Sequence, residues 1–154
     1  MGRFLILYTS STGNTEIMTK VMETYLQERK HEVVMKHFEY DRIDVEELLG
    51  YDVILVGTYT WDDGEIPYEV EDFYDELDDI DLSGVHCGVF GSGDTFYDEF
   101  CGAVDLMAER LMERGAVVMR ERLKVDLEPD REDVKRCERF VANGCQVVKP
   151  SDAS

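Results

Sequence analysis

Phe4-Leu5-Ile6-Leu7-Tyr8 runs apolar with almost no polar alternation, and so do Val33-Val34-Met35, Val53-Ile54-Leu55-Val56 and Val85 to Phe90. Short unbroken runs of this kind are the pattern of strands buried on both faces, as in a parallel sheet covered by helices. Between them the apolar residues recur with a period of 3.6: Met18, Val21, Met22, Tyr25 and Leu26 form one helical face, and Val70, Phe73, Tyr74 and Leu77 a second. Ala103, Val104, Met107, Leu111 and Met112 form a third, and Val134, Cys137, Val141 and Cys145 a fourth, with Asp130 as its start signal. The last strand is the least regular. Ala116 to Met119 and Leu123 to Leu127 flank Arg120-Glu121-Arg122, which allows one broken strand or two short pieces. Strands alternating with helices in this order predict an α/β fold, a doubly wound five-stranded parallel sheet with helices on both faces and right-handed crossovers. Ligands of such sheets gather outside the carboxyl ends of the strands, which singles out residues 9–15, 58–67 and 91–101.

Length and charge narrow the picture. A chain of 154 residues that is 44% hydrophobic can bury one sizeable core, so residues 1–149 are expected to form a single domain and 150–154 a flexible tail. The formal charge of -19 opposes binding to nucleic acid or to an anionic membrane and favours a basic protein surface as partner, although acidity also serves solubility alone. Cys87, Cys101, Cys137 and Cys145 contain no CxxC pair and have no metal-like spacing to a histidine, so buried, reduced thiols are expected. His31, His37 and His86 are scattered. The run from Glu69 to Asp81 reads as a solvated acidic helix face. With no signal-peptide pattern and no segment of membrane-spanning length, a cytoplasmic location is the default expectation.

The loops carry the chemistry. The first, Thr9-Ser10-Ser11-Thr12-Gly13-Asn14-Thr15, opens a helix, where backbone amides and the helix dipole favour an anion and the hydroxyls of Ser10, Ser11, Thr12 and Thr15 add donors. An ordinary N-cap needs one hydroxyl, and the stacking of several around Gly13 favours a phosphate. A nucleoside triphosphate loop would carry a lysine, and this one has neither lysine nor arginine, so a single terminal phosphate monoester fits better. The dinucleotide fingerprint is also absent, since Asp94-Thr95-Phe96 follows Gly91-Ser92-Gly93 where a third glycine is required. The second loop, Thr58-Tyr59-Thr60-Trp61-Asp62-Asp63-Gly64, holds the only tryptophan, a candidate plate for stacking on a planar ring, although a lone tryptophan more often caps a core. The third supplies Phe96 and Tyr97. Two aromatic-bearing loops flanking a phosphate site can sandwich a planar ring whose tail ends in phosphate, which is the shape of flavin mononucleotide (FMN).

On these motifs the sequence resembles the flavodoxins over essentially its whole length. Ser10-Ser11-Thr12-Gly13-Asn14-Thr15 is similar to the family's phosphate loop and Thr60-Trp61 to its first flavin loop. Gly93-Asp94 with Tyr97 and Phe100-Cys101-Gly102-Ala103-Val104-Asp105 is similar to its second. The lack of a long insertion in the last strand region resembles the short-chain branch. The resemblance implies a flavodoxin-like fold and a monomeric, low-potential carrier of single electrons on non-covalently bound FMN, with Trp61 over one ring face and Tyr97 over the other. It implies basic docking faces as partners, on a flavodoxin or ferredoxin reductase, a cytochrome P450 or other oxygenase, or a pyruvate oxidoreductase. Asp62, Asp63, Asp94 and Asp98 would add a negative field that disfavours an anionic reduced ring.

One position departs from the family pattern. Many flavodoxins have glycine directly after the first-loop aromatic, where a peptide flips on one-electron reduction. Here Asp62 stands in that place, so the flipped form should cost about 1 kcal/mol more than with glycine, unless Gly64 shifts the turn. Two other classes make different demands. A small FMN-dependent NAD(P)H reductase would need room over the ring for a nicotinamide, and a receiver-type signalling module would need acids where Tyr8-Thr9 and Gly57-Thr58 stand.

Overall fold

The computed structural model describes residues 2–11, 13–60, 65–93 and 101–148. In chain order the elements are β1 (Arg3–Tyr8), α1 (Asn14–Glu28), β2 (Glu32–His37), a 3-10 turn Val45–Gly50, β3 (Val53–Tyr59), a 3-10 turn Tyr68–Val70, and α2 (Glu71–Glu76) with a further 3-10 turn Leu77–Asp79. There follow β4 (His86–Gly93), α3 (Gly102–Glu113), β5 (Val117–Val118), β6 (Leu123–Asp126) and α4 (Arg131–Cys145). All strands run parallel in the order β2-β1-β3-β4, and β5 and β6 both pair with β4 at the far edge.

Successive strand residues face opposite ways, and the core divides accordingly. Leu5, Leu7, Ile54, Val56 and Val89 pack with Val70, Phe73, Leu77, Val104, Met107 and Leu111, the faces of α2 and α3. Phe4, Ile6, Val53, Leu55 and Phe90 pack on the other side with Met18, Met22, Leu26, Phe140 and Val141, the faces of α1 and α4. Helices therefore cover both faces, as the pattern predicts.

Two details differ from the pattern, and two more fill in what it leaves open. β2 is an edge strand with no fully buried residue, because only β1 flanks it, so its apolar run does not mark burial on both faces. Met112 is 45% exposed, and Ala108 takes its place on the buried face of α3. The regular part of α2 is short. Its i,i+4 neighbours Glu71 and Asp75, and Asp72 and Glu76, repel each other, and its C-terminal carbonyls meet more acid at Asp78 and Asp79. Arg110 relieves that end: its Nε donates to the Tyr74 carbonyl (3.1 Å), Nη2 pairs with Asp78 (2.7 Å), and the guanidinium lies 5.0 Å from the Tyr74 ring centre.

The fourth detail is the last strand, which is two pieces. Val118 stands beside Cys87 and Leu123 beside Phe90, so residues 119–122 span the place of Gly88 and Val89 alone. Met119 turns its sulfur over Gly88, where a Cβ would lie only 2.6 Å away, and Arg122 turns to Asp105 (3.0 Å). Among the described residues no helix is long and apolar enough to cross a membrane.

Candidate functional site at the carboxyl ends of the strands

The sheet register brings three of the strand ends together. Tyr8 stands beside Gly57, Thr58 beside Gly91 and Tyr59 beside Ser92. Side chains and close approaches lock the loops beyond them to one another. The Thr9 amide donates to the Gly57 carbonyl (3.1 Å), and the buried Thr15 and Ser92 hydroxyls bond each other (2.7 Å), tying the start of α1 to the end of β4. Thr60 Oγ1 accepts from the Ala103 amide (3.2 Å), which fastens the end of β3 to the first turn of α3. Gly91 permits the tightest approach, since a Cβ there would lie 2.0 Å from the Thr58 carbonyl oxygen.

The phosphate-loop expectation falls on a distinctive turn. Gly13 precedes α1 at φ 92°, a left-handed conformation that favours glycine, and a Cβ built there would meet nothing within 4 Å. Ser10 Oγ accepts from the Gly13 amide (3.1 Å) and the Glu16 amide (3.2 Å), so an ordinary cap accounts for Ser10. Ser11 is left exposed at the rim of a cavity of about 400 Å³ that Tyr8, Ser10, Gly13, His37 and Tyr40 also line. Asn14 is the first residue of the helix. Thr15 points inward to Ser92 rather than outward with the other hydroxyls.

At the second and third loops, Thr58 is buried and donates to the Tyr59 carbonyl (2.8 Å), while Gly93 lets Cys101 return against it, with Sγ only 2.9 Å from where a Cβ would stand. Cys101 adopts φ 52°, uncommon for a residue with a side chain, directly before α3. Burial pushes its thiol up to about 12, as it does for Cys87 and Cys137, so these sulfurs stay protonated near neutral pH and are neither nucleophiles nor ready metal ligands. Among the described residues no group of three or more His, Cys, Asp or Glu is placed to hold a metal ion. Thr12, Trp61, Asp62, Asp63, Gly64, Asp94, Phe96, Tyr97, Asp98 and Phe100 lie outside the described residues, as do 149–154.

The pattern misses Glu69. It belongs to the run expected to be a solvated face, yet it is half-buried and its Oε2 accepts from Thr9 Oγ1 (2.5 Å) and from Tyr59 Oη (3.0 Å). Burial and then this carboxylate push the Tyr59 phenol well above the ordinary tyrosine range, so it remains a donor. The one available signal is position: Glu69 follows Pro67 at the end of the second loop, before the regular helix begins.

Around Gly13 the described residues offer the exposed Ser11 hydroxyl and the N-terminus of α1, and no lysine or arginine among them lines the cavity, which suits a phosphate monoester and fits FMN. Comparison with known proteins decides the family: the sequence model described as Flavodoxin matches residues 6–140. The chain belongs to the flavodoxin family. It is 44% identical over 141 residues to Probable flavodoxin 1 of Bacillus subtilis, covering 91% of this chain and 88% of that one. To the flavodoxin of Maridesulfovibrio salexigens it is 39% identical, over 87% of this chain and 92% of the other. Among solved structures, oxidised Flavodoxin 2 from Bacillus cereus superposes with a TM-score of 0.89 at 47% identity, covering 95% of this chain and 99% of that one. Flavodoxins are FMN-binding electron-transfer proteins rather than enzymes, and membership decides for the carrier over the reductase and the receiver module.

Proposed function

We propose that this flavodoxin is a low-potential carrier of single electrons that holds FMN without a covalent link at the convergent ends of β1, β3 and β4. The observation that carries this assignment is the helix N-terminus at Gly13 beside the exposed Ser11 hydroxyl, in a cavity lined by no lysine or arginine among the described residues and tied through Thr15 and Ser92 to the loop that would flank the ring. FMN when bound supplies the electron-accepting ring. Ser10, Ser11, Thr12, Gly13 and Asn14 would hold its phosphate, with the buried Thr9 and Thr15 fixing the two ends of the loop. Thr58, Tyr59, Thr60, Trp61, Asp62, Asp63 and Gly64 would form one wall of the ring site, and Gly91, Ser92, Gly93, Asp94, Phe96, Tyr97, Phe100 and Cys101 the other. Trp61 and Tyr97 would exclude water from the two faces. The acidic loop residues, within a molecule of charge -19, disfavour added negative charge at the site and so lower the potential.

The same acidity would steer basic docking faces of redox proteins, a flavodoxin or ferredoxin reductase as donor and an oxygenase, cytochrome P450 or pyruvate oxidoreductase as exchange partner. A monomer in the cytoplasm suits a carrier that exposes one edge to successive partners. Titration of the apoprotein with FMN and with riboflavin, followed by flavin fluorescence, tests the site. One-to-one quenching is expected, with FMN bound at least about tenfold more tightly, a difference of about 1.4 kcal/mol for the phosphate. Equal affinity for the two would overturn the phosphate assignment, and rapid NAD(P)H oxidation by the protein alone would overturn the carrier role.

A further inference from the structure

Of the acidic residues in the run from Glu69 to Asp81, Glu69 is the one whose carboxylate joins two of the loops at the strand ends. Thr9 follows β1 and directly precedes Ser10, and Tyr59 ends β3 and directly precedes Thr60-Trp61. Both hydroxyls donate to the same oxygen, Oε2. The polarity is fixed, because an ionised carboxylate can only accept, and such charge-assisted bonds are stronger than neutral ones. Thr9 is fully buried and Tyr59 partly so, which keeps water from replacing either donor freely. Glu69 itself sits on the Tyr68–Val70 turn, which follows the first ring loop in the chain. One side chain thus joins the segment entering the phosphate loop, the segment entering the ring loop and the segment leaving it.

Resting on the FMN assignment above, we propose that Glu69 is a positioning residue that clamps the phosphate loop to the first ring loop, so that phosphate and ring are bound as one coupled unit. In the clamped molecule, a ring held against the end of β3 at Tyr59 also fixes Thr9, and with it the start of the phosphate loop. Without the carboxylate, the Thr9–Gly57 backbone bond and the Thr15–Ser92 hydroxyl pair still hold the loop to β3 and β4, but the side-chain link from Thr9 to Tyr59 and the Tyr68–Val70 turn is lost. A residue with a merely structural role would weaken FMN and riboflavin binding by the same factor. A clamp weakens FMN more, because only FMN uses both loops.

The test measures dissociation constants of FMN and riboflavin for the wild-type apoprotein and for Glu69→Ala, Glu69→Gln and Tyr59→Phe, alongside thermal unfolding of each apoprotein. The riboflavin-to-FMN ratio of dissociation constants should fall about tenfold in Glu69→Ala, within the range measured for coupled neighbours. Glu69→Gln should restore most of it, since the amide oxygen can accept both hydroxyls. Tyr59→Phe removes one arm and should lower the ratio in the same direction, which keeps the test decisive if Glu69→Ala does not fold. A ratio unchanged in Glu69→Ala, or in Tyr59→Phe where Glu69→Ala does not fold, overturns the clamp while leaving the flavin assignment intact. A wild-type protein that takes up neither ligand overturns both.

Discussion

At Gly91 a side chain would meet the backbone of the neighbouring strand. A methyl group there would stand 2.0 Å from the Thr58 carbonyl oxygen and 2.7 Å from Val104 Cγ2, and backbone cannot yield without breaking the pairing of β3 with β4. Gly91→Ala should therefore destabilise the protein by about 3 kcal/mol, read from urea unfolding, the upper end for overpacking. Gly50→Ala, where nothing lies within 4 Å of the added Cβ, should stay within about 0.5 kcal/mol of wild type. Equal effects would contradict the close approach. For Asp62, the sequence leads to a different expectation: Asp62→Gly should widen the separation of the two one-electron potentials by the equivalent of about 1 kcal/mol, because glycine accepts positive φ without penalty. An unchanged separation in a potentiometric titration would remove it. Single residues were unevenly legible. Gly13 and the hydroxyls around it could be found because the residue types themselves announce a turn and donors. Glu69 could not, because its charge is shared by every neighbour in an acidic run and only its position in three dimensions sets it apart.

Among the elements, α4 was the most legible. Asp130 caps it with a reciprocal box: its Oδ1 accepts from the Asp133 amide (2.8 Å), and Asp133 Oδ2 accepts from the Asp130 amide (3.1 Å). Asp130→Ala should cost about 1 kcal/mol in urea unfolding, and a loss near zero would mean the cap is idle. The divided last strand was harder, because the groups that divide it are distant in sequence. Asp105 on α3 holds both Lys124 (2.7 Å) and Arg122 (3.0 Å), drawing the polar stretch away from the sheet. Burial pushes the Asp105 carboxyl up, but the hydrogen bonds from Lys124 and Arg122 outweigh it and hold the group below the ordinary carboxylate range. A lowered carboxyl stabilises the fold above its unfolded value, and that stability is lost as pH falls through the folded value. The stability difference between wild type and Asp105→Asn should be constant from neutral pH down to about pH 5 and shrink below about pH 4. A difference independent of pH would show that the pair contributes nothing. The apolar face of α2 was legible from its period, which takes no account of the like charges stacked a turn apart that keep its regular part short.

For the molecule as a whole, a charge of -19 on 154 residues sets two opposed demands. Self-repulsion weakens the folded state, and the proposed carrier role would use the same charge to attract basic partners. Added salt screens both. Thermal stability should rise between ~10 mM and ~150 mM NaCl while the association rate with a basic redox partner falls. A stability that does not rise would mean the charges are spaced widely enough to ignore one another. The double winding was legible because strand and helix periods alternate cleanly. The edge position of β2 was not, since an apolar run does not say how many neighbours a strand has.

Stepwise anaerobic reduction of the purified protein at controlled potential, with the heat-released chromophore identified by chromatography, tests the carrier assignment most directly. The account predicts FMN as the chromophore and two resolved one-electron steps, the second at a strongly negative potential. A single two-electron step, or a colourless protein that also refuses added FMN, would contradict it.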